Sequence, residues 1–178
     1  MVVADYNLEV LTHAAIPNLL LTFAHASSQT NDDSIFSNHG ELDITEELLD
    51  SFQSWLHAIG LTIYGVSGPW GVQFSQFVDR ILNNQSTLIL ASETIYQPSS
   101  LLAFTEVSMS LLKRSDIQVS RNQALVAAKK VYFGVGGGVD EFLSCLEVAG
   151  GHASVRWDSG NTGVGRVILD IRLPDRST

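Results

Sequence analysis

Three polar residues, Ser92, Glu93 and Thr94, directly follow the apolar run 88–91 in the sequence. An apolar run of this length predicts a strand that is buried on both faces of a parallel sheet. Because ligands bind beyond the carboxyl ends of parallel strands, the three polar side chains stand where chemistry would be placed. The periodicity alone fits an alternative equally well, in which Ser92 or Thr94 only caps the following helix.

A second candidate site is the glycine cluster Gly134, Gly136 and Gly138, between a predicted strand and an amphipathic helix. This spacing is typical of a loop that binds a dinucleotide or S-adenosylmethionine, and Asp158 after the next strand would then bind the ribose. The chain beyond Asp158 is too short for the other half of a doubly wound fold. We therefore favour the alternative, in which these glycines let the backbone turn sharply.

Asp5 is the third candidate, because it follows the apolar residues 2–4 and precedes helical spacing over residues 7–15. Aspartate at this position is typical of a helix N-cap. An acidic residue at the carboxyl end of a strand is also typical of ribose binding in doubly wound nucleotide folds. The pattern leaves both interpretations open.

The elements that position these residues alternate between strands and helices. Apolar runs predict strands near residues 2–4, 61–66, 88–91, 123–128, 152–158 and 167–173. Periodic apolar residues predict helices near 7–15, 46–59, 72–82, 98–113 and after 138. The boundary signals of these helices are Thr45 or Asp43, Pro98 and Gly60. Residues 18–24, beyond Pro17, are either a resumed helix or a short strand. Residues 27–40 form a polar surface loop. We predict an α/β fold, doubly wound on a mostly parallel sheet, with the last two strands as an antiparallel edge.

Length, composition and charge narrow the class of protein. The 178 residues are 45% hydrophobic with a formal net charge of −9, which fits one globular domain and argues against a nucleic-acid or anionic-membrane binder. A single cysteine, Cys145, gives no disulfide framework and predicts a reducing, intracellular compartment. We predict no membrane span or secretory signal. The five histidines show no metal-ligand spacing, so we predict no metal.

The chain resembles a family, the S-adenosylmethionine-dependent protein-histidine methyltransferases that modify a ribosomal protein, a branch of the seven-strand class I methyltransferases. The resemblance is carried by blocks spread over nearly the whole chain, of which the second pair is long and specific: residues 5–7 and 67–70, then 88–98 and 128–139. Ser-Glu-Thr-Ile-Tyr at 92–96 and Tyr-Phe-Gly-Val-Gly-Gly-Gly at 132–138 are hard to place in another family.

The resemblance implies a role for each block. S-adenosyl-L-methionine is the implied cofactor, with ribose contact at Asp5, adenine contact along residues 68–70, and the methyl donor beside Ser92. The implied cofactor-binding residues are Asp5, Tyr6, Asn7, Gly68, Pro69, Trp70 and Ser92. The loop after residue 131 implies a substrate face rather than a cofactor loop. The implied substrate-binding residues are Thr94, Tyr96, Tyr132, Phe133, Gly134 and Gly136.

In such an enzyme a methyl group would pass in line from the sulfonium to a neutral imidazole nitrogen. Glu93 is our candidate catalytic residue, either accepting the ring proton or fixing the ring; the alternative is a structural hydrogen bond to nearby backbone amides. The implied partner is a basic ribosomal protein, in the cytoplasm and also the nucleus, without direct nucleic-acid or membrane contact. The rival interpretations are a catalytically inactive protein-binding module and a protein-lysine methyltransferase.

Two departures from the family pattern accompany the resemblance. Pro69 stands where the family generally has an acidic residue, so this chain departs from the family at the hydrogen bond to the adenine amino group. The family's first strand and glycine loop should lie upstream of Asp5, where only four residues stand. We therefore predict a single partial methyltransferase domain over residues 1–178, a truncated form that lacks the first strand and its glycine loop and loses activity with them. We also predict a loop-plus-helix insertion at 27–60 and an exposed apolar strand edge.

Overall fold

The computed structural model describes residues 1–28, 42–83, 85–114, 122–160 and 164–173. The chain divides into two compact units, Met1–Gly68 and Pro69–Thr178. The first half of the predicted 27–60 insertion lies mostly outside the described residues. Each unit is built from its own strands and helices.

The first unit contains a two-stranded parallel sheet. Strand β1 (Val2–Asp5) pairs with β2 (Tyr64–Ser67) in a register that sets Asp5 opposite Ser67. The prediction of parallel pairing is confirmed, although β2 begins three residues later than the apolar run at 61. Because the strands are parallel and in register, Asp5 and the turn after Ser67 lie at the same end of the sheet.

A single helical stretch follows β1 and changes its winding before Pro17. It consists of α1 (Leu8–Val10), a π-helical turn (Leu11–Ala15) and α2 (Ile16–Ser28). Proline has no N–H and its ring collides with the carbonyl oxygen four residues earlier, and the wider π turn accommodates both effects. Residues 18–24 are therefore helical, which settles the alternative that the sequence left open. Ser27 and Ser28 belong to α2 rather than to the predicted loop.

Helix α3 (Glu46–Ala58) completes the first unit. The hydroxyl of Thr45 accepts a hydrogen bond of 3.2 Å from the backbone N–H of Leu48, so Thr45 is the N-cap. Its apolar stripe packs on α2, where Phe23 lies 5.5 Å from Phe52 and 5.4 Å from Trp55 between ring centroids. Helix α3 therefore packs on α2 through aromatic side chains.

The second unit is a four-stranded mixed sheet with the strand order β3-β4-β6-β5. Strands β3 and β4 are parallel, whereas β6 is antiparallel to both β4 and β5, as the sequence predicts. The elements of this unit are α4 (Val72–Leu82), β3 (Leu88–Ser92), α5 (Pro98–Leu112), β4 (Gln123–Lys129), α6 (Val139–Val148), β5 (His152–Asp158) and β6 (Arg166–Arg172). The mixed α/β class is thereby confirmed.

The core of the second unit lies on one face of this sheet. Alternate residues of β4 and β6 are buried there, and they pack against α5 and α6. Such alternation with period two is what a strand with one covered face requires. The core members with almost no exposure include Leu112, Val126, Phe142, Leu146 and Ile171.

Strand β3 corrects one prediction from the sequence. The run 88–91 predicts burial on both faces, but Leu88 is 58% exposed and Leu90 is 71% exposed. Within the described residues β3 is an edge strand of its sheet, and only the face carrying Ile89 and Ala91 packs on the core. Within the described residues the outer edge of β3 therefore has unpaired backbone groups, and its open face carries exposed apolar side chains.

Asn122 fixes the start of β4 to its neighbours. Its side chain is 2% exposed; the amide oxygen accepts from the N–H of Thr87, and the amide nitrogen donates to the carbonyl of Leu112, both at 2.9 Å. One buried side chain thus satisfies backbone groups before β3 and at the end of α5. This sets the register of the two parallel strands whose other ends carry the candidate site.

Candidate active site

Polar residues from two parallel strands meet at the carboxyl ends of β3 and β4. Ser92 lies opposite Ala127 in the ladder, and the N–H of Glu93 donates to the carbonyl of Ala127 at 3.0 Å. Lys129 ends β4 two residues later. The polar edge that the sequence predicts from residues 92–94 therefore also includes the end of β4. The sequence analysis assigned no site residue to that strand.

Glu93 has a backbone conformation that is rare for its residue type. Its φ is +56°, in the left-handed region, where a side chain with a Cβ costs roughly 1–2 kcal/mol. Asn83 is the other non-glycine residue with positive φ among the described residues, and it is a helix C-cap. Strain of this kind persists where the surrounding structure holds it, and it is concentrated at functional sites.

Three side chains, Glu93, Lys129 and Tyr132, form what we call the Glu93 cluster. The Lys129 ammonium lies 3.9 Å from Oε2 of Glu93 and 5.6 Å from the centroid of the Tyr132 ring. The backbone N–H of Lys129 donates to the Tyr132 hydroxyl at 3.1 Å. The Glu93 carboxylate interacts with the Tyr132 hydroxyl as well. Among the described residues the partners of this carboxylate are side chains, not the neighbouring amides of the structural alternative.

Burial raises the pKa of Tyr132 above its ordinary value, because the ring is only 8% exposed. The hydrogen bond and the charge of Glu93 raise this pKa further, whereas the Lys129 N–H and the Arg166 charge lower it. Because the folded-state pKa of Tyr132 lies above the unfolded value of 10.0, the Tyr132 phenol stabilises the fold at pH values below 10.0. This contribution is lost as the pH rises through the folded-state pKa.

Replacing Glu93 by glutamine is expected to lower the pKa of Tyr132. Glutamine keeps the shape of the side chain but removes the negative charge that opposes ionisation of the phenol. The measurement is an alkaline titration of ¹³C-labelled tyrosine by NMR, with Tyr132→Phe to assign the signal. Glu106→Gln, on the exposed face of α5, removes an equal charge and should leave the pKa unchanged. An unchanged pKa of Tyr132 in Glu93→Gln would show that the Glu93 carboxylate does not act on the Tyr132 hydroxyl.

The segment after Glu93 supplies a buried hydroxyl and a second aromatic ring. Thr94 Oγ1 is buried and has no hydrogen-bond partner among the described residues. Tyr96 is partly exposed, and its ring lies 6.4 Å from that of Tyr132. A buried hydroxyl without a partner is costly, so Thr94 is suited to bind a ligand group.

The glycine loop packs directly on this segment. A Cβ at Gly137 would lie 2.5 Å from the carbonyl carbon of Tyr96 and 2.6 Å from the nitrogen of Gln97. Gly134 and Gly136 have φ of +79° and +74°, as sharp turns require. The structure thus gives these glycines the turning and packing role that the sequence analysis favours. Phe133 projects from the loop and is 87% exposed.

Within the first unit, the predicted cofactor residues lie at the ends of β1 and β2. Oδ1 of Asp5 accepts from the N–H of Asn7 at 2.8 Å, and the Gly68 N–H donates to the Asp5 carbonyl at 3.3 Å. The helix N-cap is Asn7, so Asp5 closes a turn before the helix instead of capping it. Tyr6 is exposed, and Gly68 has a φ of +137°. The structure brings Asp5, Asn7 and Gly68 together at one end of the two-stranded sheet.

Within the second unit, Pro69, Trp70 and Ser92 have different surroundings. Trp70 packs against the core, with its ring 5.7 Å from Phe104. Pro69 is exposed in the turn before α4. Ser92 is exposed at the end of β3, where it borders a shallow apolar depression on the open sheet face lined by Leu90, Ala91, Leu125, Ala127 and Ile168. No contact within this unit joins Trp70 to Ser92 among the described interactions.

Lys129 is the functional candidate that the sequence analysis missed. The available signal was its position, because it follows the buried run of β4 just as Ser92 follows that of β3. The described residues contain no group of acidic, histidine or cysteine side chains arranged to hold a metal ion. No helix in the described part of the chain has the length and apolar character needed to cross a membrane.

One residue of the first unit is suited to the nucleoside part of a methyl donor. The Asp5 carboxylate stands at the carboxyl end of a parallel strand and uses Oδ1 for a local turn, so Oδ2 can bind ribose hydroxyls. Trp70 fits less directly, because its ring already packs on Phe104.

Comparisons with known proteins identify relatives of one kind. The chain is 35% identical over 158 residues to histidine protein methyltransferase 1 of Saccharomyces cerevisiae, covering 82% of this chain and 41% of the relative. It is 36% identical over 148 residues to the protein of the same name from Schizosaccharomyces pombe, covering 83% and 40%. A mouse homolog is 35% identical over 106 residues. No protein-family model matches. The chain spans about two fifths of the length of these yeast relatives and matches their carboxyl-terminal part.

Proposed function

Because this chain belongs to the histidine protein methyltransferase family, matching the carboxyl-terminal part of its relatives, we propose that it acts in methyl transfer to a protein histidine. The donor in this proposal is S-adenosyl-L-methionine. The observation that carries the proposal is the Glu93 cluster: a carboxylate on strained backbone at the carboxyl ends of two parallel strands. Strain and location together favour a chemical role over a structural one.

Glu93 would orient the acceptor imidazole ring and accept its proton. When bound, the donor would supply a methyl group, which passes from the sulfonium sulfur to a neutral imidazole nitrogen as the carbon–sulfur bond breaks and S-adenosylhomocysteine leaves as a neutral thioether. A carboxylate that accepts a hydrogen bond from the other ring nitrogen selects the tautomer with its lone pair free for attack. As the methyl–nitrogen bond forms, the ring becomes cationic, and Glu93 takes the proton from the second nitrogen. Tyr96 and Tyr132 would form walls for the ring.

Binding of the donor is assigned to separate residues in the two units. In the first unit, we assign ribose contact to Asp5 and neighbouring backbone contacts to Tyr6, Asn7 and Gly68. In the second, we assign Ser92 to the donor and Pro69 with Trp70 to the adenine side. Thr94, Tyr96, Tyr132, Phe133, Gly134 and Gly136 are assigned to the substrate. The buried, unpartnered hydroxyl of Thr94 and the high exposure of Phe133 support these assignments.

The proposed substrate is a basic ribosomal protein, methylated in the cytoplasm or nucleus. The formal net charge of −9 supports a basic partner, because it favours encounter with a positively charged surface. The exposed Phe133 beside the cluster would contact an apolar residue near the acceptor histidine.

A catalytically inactive protein-binding module is the second candidate function. The observation that favours it is the outer edge of β3, where Leu88 and Leu90 are exposed and the backbone is unpaired within the described residues. Such an edge pairs readily with another strand. Under this interpretation the Glu93 cluster is a remnant, and the chain binds no donor.

Calorimetric titration with S-adenosylhomocysteine separates the two functions. Micromolar binding is expected for the purified chain, either alone or mixed with the amino-terminal part of the Saccharomyces cerevisiae relative that lies outside the match. Binding in the mixture only would show that the donor site needs residues that lie outside the match in the relative. Absence of binding in both samples would overturn the enzyme proposal in favour of the protein-binding module. Asp5→Asn is the matched variant, expected to weaken binding about tenfold or more because a carboxylate–hydroxyl bond is lost.

A further inference from the structure

The Lys129 ammonium is a fixed positive charge beside the carboxylate that would face the acceptor. It lies 3.9 Å from Glu93 Oε2 and 5.6 Å from the Tyr132 ring centroid. The backbone N–H of the same residue binds the Tyr132 hydroxyl at 3.1 Å. Lys129 therefore contacts Glu93 through its ammonium and Tyr132 through its backbone N–H.

We propose that Lys129 is a specificity-determining residue that makes the Glu93 cluster accept a neutral imidazole and reject a cationic acceptor such as a lysine side chain. This inference rests on the proposed function. A lone carboxylate would attract an ammonium group by charge. With Lys129 beside it the pair is close to neutral, so what remains is a hydrogen-bond acceptor for a neutral N–H.

A second cation strengthens the effect. Arg166, at the start of β6, lies opposite Lys129 in the antiparallel ladder of β4 and β6, so a second cationic residue stands at this end of the sheet. Lys130 does not add to it in the same way, because its ammonium is paired with Asp158 at 2.8 Å. An entering ammonium or imidazolium would meet two cations and one carboxylate. A neutral imidazole would meet only a hydrogen-bond acceptor and two aromatic rings.

The discrimination also suits the chemistry. A protonated amine has no lone pair, so binding it at the acceptor position would block the site without reaction. Exclusion of cations keeps the position open for the one common side chain that is a neutral nucleophile near pH 7. Because Lys129 and Glu93 are both partly exposed, solvent screens their charges, and we expect a difference of about tenfold in affinity rather than a larger one.

Two small probes test this inference without any methyl transfer: 4-methylimidazole for the histidine side chain and n-butylammonium for the lysine side chain. Binding to the full chain is followed by NMR shifts of the amides of Glu93, Tyr96 and Tyr132, at a pH where the imidazole is neutral. We expect the unmodified chain to bind 4-methylimidazole more tightly than n-butylammonium. In Lys129→Met the ratio of the two affinities should fall about tenfold. Lys129→Arg should keep the ratio.

Lys113→Met is the matched control, because it removes the same charge at the end of α5 opposite to Pro98. It should leave the ratio unchanged. Equal affinities in the unmodified chain, no binding of 4-methylimidazole, or an unchanged ratio in Lys129→Met would each overturn the proposal. The titration with S-adenosylhomocysteine reports separately on the methyl-transfer function, so failure of one is distinguishable from failure of the other.

Discussion

Replacement of Glu93 by asparagine is expected to slow methyl transfer strongly while the fold keeps its stability or gains some. Asparagine adopts the left-handed conformation more readily than glutamate, so the strain at φ +56° is relieved by up to about 1 kcal/mol. The variant lacks the carboxylate that we propose takes the ring proton, which should slow transfer by roughly 10²- to 10⁴-fold. Incorporation of a labelled methyl group measures the rate, and urea unfolding measures the free energy of unfolding.

Glu93→Gln is the paired variant for this experiment. It also removes the carboxylate but keeps a residue that disfavours positive φ, so its activity should fall as far while its stability does not rise. The difference in unfolding free energy between the two variants reports the backbone strain. Transfer would be assayed in whichever sample binds S-adenosylhomocysteine, the chain alone or the mixture. Retention of activity in both variants would remove Glu93 from the mechanism.

Replacement of Gly137 by alanine is expected to cause the largest loss of stability of any single methyl addition in the glycine loop. The new Cβ would lie 2.5–2.7 Å from backbone atoms of residues 95–97, which cannot move without shifting the segment that carries Tyr96. Overpacking of this kind costs about 3 kcal/mol, at the upper end of its usual range. Chemical denaturation measures the loss.

Gly134→Ala is the control in the same loop. Its φ of +79° strains an alanine, but the added Cβ meets nothing within 4 Å, so the cost is limited to about 1–2 kcal/mol of backbone strain. The two variants thereby separate close packing from backbone conformation. If Gly134→Ala were as destabilising as Gly137→Ala, the contact between the loop and residues 95–97 would not be what makes glycine necessary at 137.

The elements with strong local signals could be predicted from the sequence. Thr45 as N-cap, α4 over Val72–Leu82 and the start of α5 at Pro98 depend on neighbours within one helical turn, and the structure has them as predicted. The antiparallel end of the sheet was also predicted, because a glycine-rich turn between two short strands leaves little choice. The family resemblance implies that the loop after residue 131 forms the substrate face, an assignment that no local sequence pattern provides.

The remaining features depend on what lies across the sheet. The exposure of Leu88 and Leu90 is set by the absence of a described strand or helix over them, so an apolar run alone could not reveal it. Lys129 follows the buried run of β4 in the sequence, but only the parallel register of β3 and β4 shows that this residue lies beside Glu93. The left-handed backbone of Glu93 was unpredictable for another reason: glutamate disfavours it, and the Ala127 carbonyl that holds the residue is distant in sequence.

The position of β6 in the sheet has a consequence for biosynthesis. Arg166–Arg172 follow β5 in the sequence, yet they lie between β4 and β5 and carry Val167, Leu169 and Ile171 of the core. A ribosome delivers β5 before the strand that joins it to the sheet exists, so β5 has no described ladder partner during that interval. The second unit can therefore complete its sheet and core only after β6 has emerged from the ribosome.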